Sequence, residues 1–313
     1  MKYIETVNDQ IKNIVSKEDN LVLFGQNISA GSCIGGLTRG MNVKTTSKVI
    51  NSTNSENTLC GFGFGLMLNE VSSVFFMKQL DFLLLGIDQL VNTFNNIRNT
   101  NSDLKSSFTI MPVIVDNGFQ GPQSSLNNFA DFCSIARIPG YAISTKYETE
   151  KIIGTKLVSK GFRILGISQR LVNTEIIDIN PIKENSDFSV VKYTDGCDVT
   201  IVCFNFSFEK GIVIQKELEK NGISSSIFNV TSMTPCNWKH IIDNVKITNK
   251  IIVIDDSKSE NLLCYNLISE IHDKCHLKKK IILTKEILSN WLCPIPDEMK
   301  VDVKEIVNIL KEK

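Results

Sequence analysis

The sequence predicts an α/β protein of two three-layer domains, each a mainly parallel sheet with helices on both faces. Apolar strand-like runs alternate with helix-length amphipathic segments along the chain, the pattern of parallel sheets covered on both sides. That pattern lapses once, over residues 174–188, where Pro181 sits among charges, and then resumes. A length of 313 residues suits two domains, at roughly 100–200 residues each. The expected division is a first domain over 1–178, a linker over 179–188 and a second domain over 189–313.

In the first domain, strands are expected at 21–24, 48–50, 73–77, 109–115, 142–144 and 163–167. Each is a short apolar run bounded by polar residues or glycine, as a strand buried on both faces requires. Helices are expected between them over 57–69, 82–97, 126–136 and 148–159. The second of these helices has Asp81 placed to cap its free N–H groups. Its start, Phe82, Leu83, Leu84 and Leu85, is apolar nearly all round. Such a start is expected to be buried on all sides, by a partner chain as well as by its own sheet. In the second domain, strands are expected at 199–204, 223–230, 250–255 and 280–283. Helices are expected over 209–221, ended by Gly222, and over 303–310. Thr234-Pro235 is expected to open another helix, because the missing proline N–H costs nothing in a first turn.

Composition removes several classes of function. Lys+Arg and Asp+Glu are 34 each, so the chain carries no electrostatic footprint for nucleic acid or an anionic membrane surface. Residues 1–20 are amphipathic and polar, without the apolar stretch of a signal peptide. The most apolar window, 74–91, is interrupted by Lys78, Gln79, Asp81 and Asp88, so it reads as core and not as a membrane span. The nine cysteines are odd in number and form no C-x-x-C. They read as small buried hydrophobes in a reducing, cytoplasmic compartment. His272, Cys275 and His276 have metal-like spacing but no second ligand pair, so no metal site is assigned to this chain.

Gly61, Gly63 and Gly65 make G-x-G-x-G with bulky phenylalanines between, not the G-x-G-x-x-G of a dinucleotide loop. Gly61 and Gly65 lie four apart on one helical face and are expected to let another backbone come close. Glu56 stands at the mouth of this helix. A carboxylate there complements the helix dipole; beside the apolar run at 82–85 it is also expected to be drawn into an apolar interface.

The surrounding run, SKVINSTNSENTLCGFGFGLMLNEVSSVFFMKQLDFLLLGIDQLVN, resembles the β-subunit family of 2-oxo-acid dehydrogenase decarboxylating components. It resembles, more loosely, the central region of transketolases. Ser55-Glu56, Gly61 and Gly65, Asp81-Phe82 and Ile87-Asp88-Gln89 stand in the family's order. LVLFGQNISAGSCIGGLTRGM is similar to the family's opening strand and loop, and Ile138-Pro139-Gly140 to its helix-to-strand joint. The stretch from DVTIVCFNF to CNWKHI is similar to its C-terminal domain. The resemblance therefore implies a transketolase-like pyrimidine-binding domain followed by a transketolase C-terminal domain.

It also implies thiamine diphosphate as cofactor. In this family a carboxyl group hydrogen-bonds the aminopyrimidine ring and favours its imino tautomer, which takes the thiazolium C2 proton. By resemblance Glu56 is that group, Phe82 packs on the pyrimidine and the aliphatic surface at Leu85 completes the pocket. The diphosphate and Mg2+ are held in the family by a G-D-G segment and a downstream asparagine, hard oxygen ligands. This chain has no G-D-G; its Asp195-Gly196 stands before a strand of the second domain. An alpha-type partner subunit is therefore expected to hold the diphosphate and Mg2+, in a heterotetramer.

A second departure follows DNGFQGP, where related chains place a histidine. Ser124, Ser125, Asn127 and Asn128 stand there, and His240, His272 and His276 all lie in the second half. The leading expectation is a beta-type subunit of a thiamine-diphosphate enzyme acting on a 2-oxo acid. The alternatives are the C-terminal half of a split transketolase, acting on ketoses, and a non-catalytic assembly subunit. Transketolases carry Glu-His where this chain has Glu56-Asn57, which favours the beta-subunit reading.

Overall fold

The apolar runs become two sheets. A computed structural model describes residues 1–101, 103–116, 121, 127–285 and 299–312. The chain opens with α1 (Tyr3–Val15), whose Tyr3, Val7, Ile11 and Val15 are buried as one stripe at helical spacing. β1 (Leu21–Gly25), β2 (Lys48–Asn51), α2 (Glu56–Leu68) and β3 (Ser72–Met77) follow. Next come 3-10 turns over Leu80–Gly86, a π-type turn over Gln89–Thr93 and α3 (Phe94–Thr100). β4 (Ser107–Ile114), α4 (Phe129–Ala136) and β5 (Gly140–Ile143) lead to α5 (Lys146–Glu148), a π-type turn over Thr149–Ile153, α6 (Gly154–Lys156) and β6 (Gly161–Ser168). The rest of the chain forms β7 (Lys183–Glu184), β8 (Val190–Lys192), β9 (Val199–Phe204), α7 (Phe208–Lys220), β10 (Ser225–Val230) and β11 (Ser232–Thr234). It ends with α8 (Lys239–Thr248), β12 (Lys250–Asp255), α9 (Leu263–Lys274), β13 (Lys279–Thr284) and α10 (Val303–Lys311).

The first sheet has the order β11-β5-β6-β4-β3-β1-β2 and is parallel except at β11; the second has the order β13-β12-β9-β10-β8-β7, antiparallel only at β8 and β7. β4 is central and buried along its whole length. In the second sheet, alternate residues of β9 serve two cores. Val202 and Phe204 pack with Trp238, Ile241 and Val245 of the α8 region and Leu267 of α9, while Ile201 and Cys203 pack with Phe208 and Leu218 of α7 and Leu310 of α10. The period of two along a strand thus places helices on both faces.

Three local expectations need correction. The helix expected over 82–97 is not one regular α-helix, and its cap position is Gln79, with Asp81 buried inside the first turn. Pro235 does not open a helix. Ser232–Thr234 is taken up as an edge strand against Tyr141 and Gly140, so α8 begins only at Lys239. The close approach on α2 lies at neither Gly61 nor Gly65. A Cβ at Gly63 would stand 2.3 Å from the Phe108 ring, whereas Gly61 faces only the Gln89 side chain and Gly65 has nothing within 4 Å. Phe108 belongs to a ring cluster with Phe24, Phe64 and Phe162, which leaves it no room to move aside. Positions 124 to 126 and Cys293 lie outside the described residues.

The two units are joined by more than the connection between them. β11 lies in the second half of the sequence but completes the first sheet. Glu148, fully buried in the first unit, accepts from the Ser144 and Thr145 amides at 2.8 and 3.1 Å, and from Tyr193 Oη and Asn229 Nδ2 of the second unit at 2.8 and 2.7 Å. Burial pushes its carboxyl up, and these bonds oppose the rise.

Gly63→Ala should therefore destabilise the chain by about 1–3 kcal/mol through overpacking against Phe108. Gly65→Ala should stabilise the isolated chain by about 0.5–1 kcal/mol through helix propensity alone. Urea midpoints of the two variants measure both, and equal shifts would contradict the assigned packing.

Candidate active site

In an open parallel sheet, ligands bind outside the C-terminal strand ends where the strand order reverses. In the first sheet that point lies between β1 and β3. β1 ends on Gly25, where a Cβ would stand 2.1 Å from the Phe76 carbonyl oxygen, so only glycine fits. The connection leaving it is pinned to the end of β2, with the Ser29 amide donating to Asn51 Oδ1 at 3.0 Å and Asn51 Nδ2 to Ser29 Oγ at 2.7 Å. Further along, Cys33, Ile34, Gly35 and Gly36 all have positive φ. A left-handed, β-branched Ile34 is strained, and burial of its side chain holds it there.

Glu56 is the first residue of α2, with Ser55 in the cap position. Ser55 Oγ donates to Thr58 Oγ1 at 2.8 Å and caps no backbone N–H. The Glu56 side chain is half-buried and makes no hydrogen bond or ion pair among the described residues. The turn at Leu80–Gly86 packs on the start of α2. Gly86 permits this: a Cβ there would lie 2.7 Å from Cys60 Sγ and 3.3 Å from the Glu56 carbonyl oxygen. Glu56, Phe82 and Leu85 thus come from two touching turns. Phe82 is half-buried, while Leu84 and Leu85 are 52% and 65% exposed. Phe62 and Leu68 on α2 are exposed as well. Sequence reading overlooked Gly86; its signal was a lone glycine closing an apolar run.

The matching crevice of the second sheet lies between β9 and β12, and the first unit fills it. Arg170, just past β6, donates Nη2 to Asp256 Oδ2 at 2.7 Å and to the Phe206 carbonyl at 2.9 Å. Its Nε lies 3.6 Å from Asp116 Oδ2, and its amide donates to Asp116 Oδ1 at 2.8 Å. Ser168 Oγ completes Asp116 at 2.6 Å. Burial pushes Asp116 up, and the Arg170 charge opposes the rise. From the other side, Asn205 Nδ2 donates to Asp256 Oδ1 at 3.0 Å and to Asn127 Oδ1 at 2.9 Å, while Asn127 Nδ2 donates to the Asp256 carbonyl at 2.8 Å. Asn127 and Asn205 both have positive φ, which asparagine tolerates better than most residues.

Comparison with known proteins places this fold. Over 297 residues the chain is 21% identical to the pyruvate dehydrogenase E1 component subunit beta of Bacillus subtilis (strain 168), covering 88% of this chain and 86% of the relative. It is 19% identical to the 2-oxoisovalerate dehydrogenase subunit beta of the same organism over 285 residues, covering 88% and 85%. A split-gene transketolase solved as an inactive beta4 tetramer superposes with a TM-score of 0.64 at 13% identity, over 98% of this chain and 96% of that one. The fold is transketolase-like. The transketolase of Campylobacter jejuni subsp. jejuni NCTC 11168 matches with a TM-score of 0.70 at 11% identity, over 97% of this chain and 45% of that longer one. No family model matches the sequence. This transketolase-like chain is thus a relative of the 2-oxo-acid dehydrogenase beta subunits. No helix among its described residues is long and apolar enough to cross a membrane.

Removing the Arg170 guanidinium leaves Asp116 and Asp256 buried without its charge. Arg170→Ala should cost about 3 kcal/mol of stability at neutral pH. Because burial already raises Asp116, the loss should shrink as acid neutralises that carboxyl. Urea unfolding of both proteins at neutral and acid pH checks this; a loss independent of pH would remove the electrostatic explanation.

Proposed function

We propose that this chain is the beta-type subunit of a thiamine-diphosphate enzyme acting on a 2-oxo acid. It would work in the cytoplasm, in a heterotetramer with an alpha-type subunit that holds the diphosphate and Mg2+. The observation that carries the reading is Glu56: a carboxylate without an internal partner at the first turn of α2, beside Phe82, at the reversal point of the first sheet. The names of the sequence relatives support the substrate class.

The residues present fit the pyrimidine half of such a site. Glu56 accepts no hydrogen bond among the described residues, and Phe82 offers an apolar ring on the facing turn. Leu84, Leu85 and Phe62 leave open apolar surface around them, surface of the kind that a partner covers. Once bound, thiamine diphosphate supplies a thiazolium carbon that adds to the substrate carbonyl. Glu56 would hold a proton in a hydrogen bond to the aminopyrimidine ring, and the covering partner would exclude water from that bond. The chain brings no G-D-G, which leaves the diphosphate end to the partner.

A split transketolase half is the second reading, favoured by the split-gene transketolase that matches end to end. Asn57 in place of a histidine after Glu56 counts against it. Activity of the assembled complex on 2-oxo acids and on ketose phosphates separates the two.

Calorimetry should find weak or no binding of thiamine diphosphate by the isolated chain, and binding restored by the correct alpha-type partner. Tight Mg2+-dependent binding by the chain alone would contradict the divided site.

Glu56→Gln should leave fold and assembly intact and lower turnover about 10²–10³-fold, the usual loss on removing a preorganised catalytic partner. A helix-dipole role predicts instead a stability loss of about 0.3–1 kcal/mol with activity nearly unchanged. Deuterium exchange at the cofactor C2 in the assembled complex decides. A rate untouched by the substitution would take Glu56 out of the reaction and favour a non-catalytic subunit.

A further inference from the structure

A cavity of about 30 Å3 lies where the first unit, the segment after β6 and the second unit meet. Tyr3 of α1 and Ser144, just past β5, wall it from the first unit. Thr174 and Glu175 wall it from the connecting segment, and Glu209, in the first turn of α7, from the second unit. The wall presents polar as well as apolar surface, and every polar side-chain atom on it is an oxygen. The space holds one hard cation and about one water.

Ser144 is only 3% exposed and its Oγ has no hydrogen-bond partner, although its amide donates to Glu148 Oε2 at 2.8 Å. A buried hydroxyl left so is costly, and this one stands on the cavity wall. The other two hydroxyls of the wall direct their protons into the chain. Thr174 Oγ1 donates to the Leu171 carbonyl at 2.8 Å and Tyr3 Oη to the Ile143 carbonyl at 2.7 Å, so what they keep is acceptor capacity. Glu175 and Glu209 are exposed, and neither carboxylate meets a donor or an ion-pair partner among the described residues. Behind the wall, the charges of Asp116 and Glu148 reach the Tyr3 hydroxyl. The cations of this region are engaged elsewhere. Arg170 is divided between Asp116 and Asp256, and Lys210 donates to the Met299 carbonyl at 3.3 Å.

We propose that this cavity binds one hard cation, through Ser144 Oγ and the carboxylates of Glu209 and Glu175, and that the ion fastens the first unit to the second. Hydroxyl, carboxylate and water oxygens are the ligands such ions take. The irregular oxygen set suits the flexible shell of Ca2+ better than the strict octahedron of Mg2+. The site shares no residue with the Glu56 region and does not depend on how that region is read.

Urea unfolding of the full chain at fixed ionic strength, with choline exchanged for K+, Na+, Ca2+ or Mg2+, tests it. An ion bound by the folded chain alone should raise the folding constant roughly a hundredfold at a hundred times its dissociation constant. A response to Ca2+ identifies a divalent site, and one confined to K+ or Na+ a monovalent site. Ser144→Ala and Glu209→Gln should each fold in choline about as well as the parent. Each should bind the ion about 10–100-fold more weakly, a loss seen even for the supporting groups of metal sites. Asp9→Asn, which removes an exposed carboxylate outside the cavity, should leave the response intact. Tb3+, which takes oxygen ligands as Ca2+ does, gives a second measure: Tyr3 on the wall should sensitise its luminescence, and the responding cation should quench it by displacement. Equal stability in choline and in every cation would leave the cavity to water and overturn the proposal. A response kept in Ser144→Ala would place the ion at the surface carboxylates alone, and one lost in Asp9→Asn would make it diffuse screening; either result also overturns it.

Discussion

The contact on which the architecture depends is Arg170 between Asp116 and Asp256. The carboxylates stand past the C-terminal ends of interior strands of different sheets, so this contact brings those strand ends together. Two buried acids around one guanidinium are costly to desolvate, and only added hydrogen bonds make the arrangement tenable. Ser168, Asn205 and the Phe206 amide and carbonyl supply them. The consequence is functional as well as structural. The reversal crevice of the second sheet, the usual ligand position in such a unit, is occupied by residues of the first. The reversal point of the first sheet lies between β1 and β3, and Glu56 and Phe82 belong to the two turns that pack together at the start of α2.

Packing around the start of α2 relies on glycines whose requirement comes from neighbours distant in sequence. Gly25 makes room for the Phe76 carbonyl, and Gly86 lets the Leu80–Gly86 turn lie on Cys60 and the first turn of α2. Gly63 admits the ring of Phe108 and so seats α2 on β4. The outer face of α2, by contrast, presents Phe62 and an unencumbered Gly65. Packing inside the chain explains the inner glycines and says nothing for Gly65, whose lack of a side chain suits close approach from outside.

Much of this was legible in the sequence. Buried parallel strands announce themselves as short apolar runs, and those expected at 21–24, 48–50, 199–204 and 250–255 appear with bounds altered by one residue at most. The amphipathic α7 was equally plain. What failed had causes beyond the local pattern. The segment after Asp81 is so apolar that periodicity carries no information about helix type, and it forms 3-10 and π-type turns. Thr234-Pro235 reads as a helix start only if the preceding residues are loop, but pairing with Gly140 and Tyr141 makes them strand. Arg170, Asp116, Asp255 and Asp256 gave only the faint signal of charges directly after apolar strands, because their partners lie far apart in sequence. Glu56 and Phe82 were found through an ordered family resemblance, which periodicity alone could not have provided.

Two glutamates show how environment divides structural from chemical roles. Glu148 is fully buried and accepts four hydrogen bonds, two of them from the second unit. Every strong acceptor direction is used, so it can fasten the units but has nothing left for a ligand. Glu56 opens a helix of similar apolar company, yet its carboxylate meets no donor among the described residues and is only half-buried. Its environment is unfinished. A covering partner would remove the remaining water, and a ring nitrogen of a bound cofactor would supply the missing hydrogen bond in a low dielectric, where one such bond is worth most. A fully satisfied carboxylate can only belong to the scaffold, whereas one that meets no donor among the described residues keeps acceptor capacity to offer a ligand.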